Sequence, residues 1–272
     1  MSRRSKLRGA AAGTLLVILA SALYAHDMFI KLNTYFVAPG AAVKVPVLNG
    51  TFSSSENAID RARIADLSLV TPAGRSLLDT TIVSAQHDTT FLSLRLAGPG
   101  TYVLGMSTRP SEISLAGKQF TEYLHEEAIQ DVVEDRAKAG ISADSAHERY
   151  SKHVKAVFQV GSDRTADFAT PLGYPAELIP LDNPYLLKPG DTLRVRGLVD
   201  GRPVAGQSVL AGGRTTSGAR IAARELRTDS DGVAALPLTT RGRWYLKFIR
   251  MTSLGDQRNY QSKWATLTFE VR

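Results

Sequence analysis

The chain has 272 residues, 33 Lys and Arg against 26 Asp and Glu, and no cysteine. Without thiols, disulfides, thiolate metal sites, a lipoprotein anchor and thiol catalysis are excluded, so stability must come from an ordinary hydrophobic core. Much of the formal +7 charge sits on Arg3, Arg4, Lys6 and Arg8; without them about +3 remains, which is not the footprint of a nucleic-acid binder.

Those four cations open a stretch that reads as a secretory signal over residues 1–25. The apolar run Ala10 to Ala22 follows them, with small residues toward its end. At about 13 residues the run is short of the roughly 20 needed to span a bilayer. No later segment approaches that length, so no membrane span is expected after leader cleavage, and the expected location is the periplasm. Two cleavage positions compete. "ASA" at Ala20 to Ala22 fits the small-x-small rule and would leave Leu23 first, whereas "LYA" at Leu23 to Ala25 would expose His26.

From His26 to about Thr108, "MFIKL", "AVKVPVL", "ADLSLV", "TTIVSA", "TFLSLRL" and "TYVLGM" are apolar or alternating runs of strand length. Turn signals separate them: Pro39-Gly40, Asn49-Gly50, Pro72-Ala73-Gly74, His87-Asp88 and Gly98-Pro99-Gly100. Next, "KQFTEYLHEEAIQDVVEDRAKAG" puts Phe120, Leu124, Ala128 and Val132 four apart, with Ile129 and Val133 alongside. This predicts one amphipathic helix ending at Gly140. Ser145 and Glu148 form a capping-box pattern for a short second helix, "SAHERY". "KAVFQVG" then returns to strand.

A second β unit begins near Leu178, with Asp200-Gly201 suited to a tight hairpin, "DSDG" at 229–232 as another turn, and closing strands "RWYLKFIRM" and "KWATLTFEV". The expectation is a mainly β chain of two antiparallel β-sandwich domains, immunoglobulin-like or transthyretin-like. The first covers 26–174 with a helical insertion at about 112–150, and the second covers 175–272.

Enzyme motifs are missing: there is no G-x-S-x-G, phosphate loop, G-x-G-x-x-G after a strand, or H-E-x-x-H. With no Cys, a transition-metal site would use imidazole and carboxylate. The histidines are His26, His87, His125, His147 and His153. If His26 is N-terminal, its α-amine and ring Nδ1 can chelate one ion, with Asp27 beside it as an oxygen donor. His87 and Asp88 stand at a turn from which the imidazole could reach a neighbouring site. His125 lies among Glu122, Glu126, Glu127 and Asp131 and reads as part of a solvated helix face. His147 and His153 flank "ERYSK" and read as surface or packing residues.

"AHDMFIKLNTYFVAPGAAVKVPVLNGTFSSSENAI", "FTEYLHEEAI", "ERYSKHVKAVFQVG", "AELIPLDNPYLLKPGDTLRVRGLVDGRPVAGQSV" and "RTDSDGVAALPL", in that order, cover most of residues 26–272. Together they resemble an exported bacterial family of unknown function, commonly described as the periplasmic component of cobalt or nickel ABC transport. The resemblance implies two β-rich units, export, and a mature chain starting at His26. The Gly-His pair of the metal-transport members has no counterpart here, the corresponding stretch being "VLNGTFSSSE", so only His26 carries over as a ligand.

The leading expectation is a non-catalytic binding or uptake-accessory protein for nickel or cobalt, with copper as a further candidate. Its site would be His26, Asp27 and His87, and its partner a membrane metal transporter or an outer-membrane receptor. Two other classes stay open: a metal-free β-sandwich module that binds a protein or glycan, and a copper oxidase with a histidine brace.

Overall fold

The computed structural model describes residues 26–272, so the leader expected at 1–25 and its cleavage positions lie outside the described residues. The alternating runs of the first half become β1 (Asp27–Ile30), β2 (Phe36–Val37), β3 (Ala42–Gly50), β4 (Ile64–Thr71), β5 (Gly74–Leu77), β6 (Val83–Gln86), β7 (Thr89–Arg95), β8 (Gly100–Thr108) and β9 (Ser111–Leu115). Helices α1 (Gly117–Glu126) and α2 (Gln130–Lys138) follow, and then the long strand β10 (Ala146–Val160). The second half adds β11 (Ala176–Pro180), β12 (Thr192–Val199), β13 (Arg202–Pro203), β14 (Ser208–Thr215), β15 (Arg220–Arg227), β16 (Val233–Pro237), β17 (Gly242–Ser253) and β18 (Asn259–Val271).

These strands form three sheets. Two have four strands each: β1, β3, β7 and β6 in one, and β11, β12, β13 and β16 in the other. The third has ten strands and runs β15-β14-β17-β18-β10-β8-β4-β5, with β2 and β9 also pairing β10. Pairing is antiparallel except where β10 meets β18 and β2. The parallel register runs from His147 opposite Asn259 to Ala156 opposite Thr268. Strands from both sequence halves therefore share one sheet, and the division read at 174/175 runs across it. One core cluster likewise gathers Tyr102, Phe158, Leu178, Leu193, Trp244 and Phe269.

Strand β10 is buried without interruption from Ser151 to Val160, because layers cover both of its faces. Alternation along a strand sends successive side chains to opposite faces. Glu148 and Lys152 turn toward α1 and β1; Ser151, His153 and Lys155 turn toward β11. On that second face, His153 Nδ1 lies 2.8 Å from Ser107 Oγ and its Nε2 lies 3.0 Å from Ser151 Oγ. Burial pushes the imidazole pKa down to about 4, so His153 is a neutral packing residue. Lys155 donates to Glu177 Oε2 at 2.8 Å, and the Glu177 carboxylate also accepts the backbone N–H groups of Leu172 and Tyr174.

Three local expectations are corrected. "SAHERY" is not a helix: Ala146–Tyr150 pairs with β9 and with β18, and Glu148, the expected capping residue, is buried. Edge-to-edge pairing outweighed a local cap. The single helix expected over 118–140 is two, broken where Ala128 takes a φ of 55° and turns Glu127 inward toward β17. The predicted apolar stripe still forms the interface, since Phe120, Leu124, Ile129 and Val132 are buried beneath the helices. Asn49-Gly50 is the end of β3, pairing with Met28 and Asp27, rather than a hairpin turn. A Cβ on Gly50 would sit 2.6 Å from the Ser54 carbonyl oxygen, so only glycine lets the following loop fold back there.

The helices are seated by aromatic contacts. Tyr123 stacks on Trp264 at 5.9 Å and Phe120 meets Tyr260 at 5.1 Å. Buried Arg136 donates to the carbonyls of Gln257, Ile141 and Asp144, tying α2 to the loop between β17 and β18.

Glu177→Ala strands a buried ammonium and two backbone donors, so we expect it to lower unfolding stability by about 3–5 kcal/mol in urea titrations. Glu112→Ala, which removes an exposed partner of His147, should cost less than about 0.5 kcal/mol. Equal effects from the two variants would refute this view of the pair.

Candidate functional site

On the first face of β10, β1 crosses the large sheet. Thr266 and Thr268 of β18 donate their hydroxyls to the carbonyls of Met28 (2.9 Å) and Ile30 (2.6 Å). This anchoring brings His26 and Met28 to the edge of a cleft of about 290 Å³, lined also by Asn49, Asp60, Arg63, Tyr150 and Lys152.

Lys152 forms the floor. Its ammonium donates to the His26 carbonyl and to Asn49 Oδ1 (3.1 Å), and it lies 5.4 Å from the Tyr150 ring centre and 5.3 Å from that of Trp264. Burial lowers its pKa to about 8, with Asp27 opposing the shift and Arg63 adding to it. Arg63 arches over the Tyr150 ring and donates to the Arg109 carbonyl at 3.1 Å. Its Nε is buried without a partner among the described residues.

Next to His26 in the chain, Asp27 joins Glu127 in a largely buried carboxylate pair shared by one lysine. Lys247 Nζ is 2.6 Å from Asp27 Oδ2 and 2.7 Å from Glu127 Oε2. Burial, reinforced by Asp27 and opposed by Lys247, raises the Glu127 pKa to about 7. Burial alone would lower the Lys247 ammonium, yet the two carboxylates hold it above its ordinary value. Next to it, Glu148 accepts from Tyr123 (3.2 Å) and from Ser262, whose hydroxyl also receives Trp264 Nε1 (2.9 Å). Burial raises the Glu148 pKa despite these donors.

The expected ligand residues fall as follows. His26 Nε2 lies 3.3 Å from Glu56 Oε2. Asp27 is engaged by Lys247, and its Oδ1 is buried without a partner among the described residues. His87 stands exposed at the tip between β6 and β7 with a φ of 50°. That turn is moored to the Glu56 loop, because Ser55 Oγ donates to the Asp88 carbonyl (2.6 Å) and accepts from the Asn49 N–H (3.0 Å). Among the described residues, no three His, Cys, Asp or Glu side chains are gathered in a metal-holding group. His125 is exposed, as expected of a solvated face.

Glu56, Arg63, Lys152 and Lys247 escaped the sequence reading, and Glu127, read as part of a solvated face, instead turns inward to Lys247. A signal was present for two of them: Lys152 and Lys247 interrupt apolar strand segments, "SKHVKAVF" and "YLKFI", where a charge is costly unless paired.

Fold and cleft together define a mainly β protein carrying two helices, a polar cleft and a largely buried charge network. The family model for a domain of unknown function, DUF4198, matches residues 23–252, and the chain belongs to that family. Among solved structures, the chain is similar to one titled "Biofilm associated protein - BSP domain". The identity is 10%, covering 86% of this chain and 28% of that one, with a TM-score of 0.19, a likeness too distant to carry any argument. No curated protein matches. Among the described residues, no helix is long and apolar enough to cross a membrane.

The buried carboxylate pair predicts a pH signature. Between about pH 4.5 and 7 the folded chain keeps a proton on Glu127 that the unfolded chain releases. The group's stabilising contribution is therefore complete below about 4.5 and is lost as pH rises to about 7. Glu127→Gln should flatten the dependence of unfolding free energy on pH across that window, measured by urea titration at a series of pH values. An unchanged slope would mean that Glu127 ionises normally.

Proposed function

We propose that this chain is a periplasmic, non-catalytic carrier for a divalent transition ion, nickel or cobalt with copper as a further candidate. In this reading His26 is the anchor ligand. The observation that carries it is the Glu56 carboxylate, 3.3 Å from His26 Nε2. A carboxylate at that nitrogen favours the tautomer protonated there and leaves the Nδ1 lone pair free. When leader removal makes His26 the first residue, Nδ1 and the α-amine form a bidentate pair for a borderline ion.

The donor set of imidazole, amine and nearby carboxylate fits an exchangeable site rather than a closed structural one. Exchange is what a protein handing an ion to a membrane transporter or an outer-membrane receptor requires. Asp27 and His87 are auxiliary donors in this reading. His87 belongs to a turn moored to the Glu56 loop, and Asp27 would exchange Lys247 for the ion. The immunoglobulin-like sandwich classification and the cobalt/nickel transport role implied by the family resemblance belong to the same proposal.

The test is calorimetric titration of Ni²⁺, Co²⁺ and Cu²⁺ into mature protein whose intact mass starts at His26. We expect one stoichiometric site, lost in His26→Ala and weakened about 10- to 100-fold in Glu56→Gln. A chain carrying one extra glycine before His26 should also lose the site, although every side chain is intact. Affinity unchanged in both His26→Ala and the extended chain would overturn the proposal. Rapid oxygen consumption by the copper form with a reductant would move the reading to a histidine-brace oxidase.

A further inference from the structure

A second cleft, of about 540 Å³, lies between the loop regions of the N-terminal segment and the end of the large sheet. Lys31, Arg214, Arg243 and Arg272 converge on it, with Thr34 and Ser53 among the hydroxyls. Like charges brought together destabilise one another unless something neutralises them. Among the described residues, only Arg272 of these four has an ion-pair partner, Glu270, which also lines the cleft, at 3.4 Å. Lys31, Arg214 and Arg243 make no ion pair among the described residues.

All three of these cations are held by neutral acceptors instead. Lys31 Nζ donates to the Phe52 carbonyl at 2.8 Å and sits 4.9 Å from the centre of the Phe52 ring. Arg214 donates to Ser53 Oγ at 2.9 Å and to the Gly218 carbonyl at 3.3 Å. Arg243 donates to the Asn33 carbonyl at 2.5 Å. Each side chain is half-buried, so part of its hydration is already lost. Burial lowers the Lys31 pKa, and Arg243 and Arg214 lower it further, as expected for cations sharing one space. The cleft is thus a fixed concentration of positive charge whose local counter-charge does not match it.

We propose that this cleft binds a small multivalent oxyanion, a phosphate or polycarboxylate compound, between Lys31, Arg214 and Arg243. Guanidinium groups present paired N–H donors that suit both oxyanion types, and the lysine adds a compact charge. The cleft volume is in the range of small-molecule sites. The donors are positioned before the ligand arrives, so little ordering opposes binding. This site is separate from the His26 cleft and does not depend on the metal reading.

The experiment is isothermal titration of mature protein with sodium pyrophosphate and, separately, with citrate, in chloride buffer free of added divalent ions. We expect one saturable site for at least one of the two anions, weakening as sodium chloride is raised. Saturation by pyrophosphate alone identifies a phosphate ligand, and by citrate alone a polycarboxylate. Arg214→Gln and Lys31→Met should each weaken binding at least 10-fold with the thermal unfolding midpoint nearly unchanged. Arg243→Gln serves as a third variant should either of these unfold. Arg194→Gln, which removes an exposed partner of Asp182 that is not among the cleft-lining residues, should bind like the parent. No saturable heat from either anion, or affinity unchanged in the folded cleft variants, would overturn the proposal.

Discussion

The parallel pairing of β10 with β18 is the constraint from which the rest of the architecture follows. It joins strands from the two sequence halves into one sheet and leaves β10 covered on both faces. A strand in that position must either be apolar throughout or supply a partner for every charge it buries. β10 does the second. Lys155 meets Glu177 on one face, while Glu148 and Lys152 meet the Ser262, Tyr123, Asn49 and His26 groups on the other. These polar contacts specify which layer lies on which face, because exchanging the layers would leave charges buried alone.

The same constraint builds the His26 cleft. Lys152 reaches the His26 carbonyl because β1 is anchored across β18 by the two threonine hydroxyls, so the start of the described chain is fixed over the sheet. The break in the helical region then directs Glu127 to Lys247, where Asp27 already lies. Three separated segments thus contribute to one charge network. Its members depend on one another: Lys247 bonds both carboxylates, and Asp27 adds to the rise in the Glu127 pKa. The network supports the segment from which His26 projects.

The basic cleft follows a different logic. There the cations are satisfied by carbonyls and hydroxyls, which fix their positions without cancelling their charge. The molecule therefore has two polar regions of opposite design, one internally neutralised and one left positive.

The sequence by itself determined the local character of the chain. Alternating runs and turn residues identified most strands and the Asp200-Gly201 hairpin, whose two residues both take positive φ. The four-residue spacing of Phe120, Leu124 and Val132 identified the buried face of the helices. These features depend on periodicity and backbone preference, which neighbouring residues carry. His26 and Asp27 were also singled out from their place after the leader, yet their surroundings were not legible. Glu56, Glu127, Lys152 and Lys247 are far apart in sequence, and only sheet register and a helix break bring them near. "SAHERY" became strand and Asn49-Gly50 became a strand end for the same reason: strand partners from distant parts of the chain outweighed the local signal. Tertiary structure decided which charges were paired and which were left available, because pairing depends on distance in space and not along the chain.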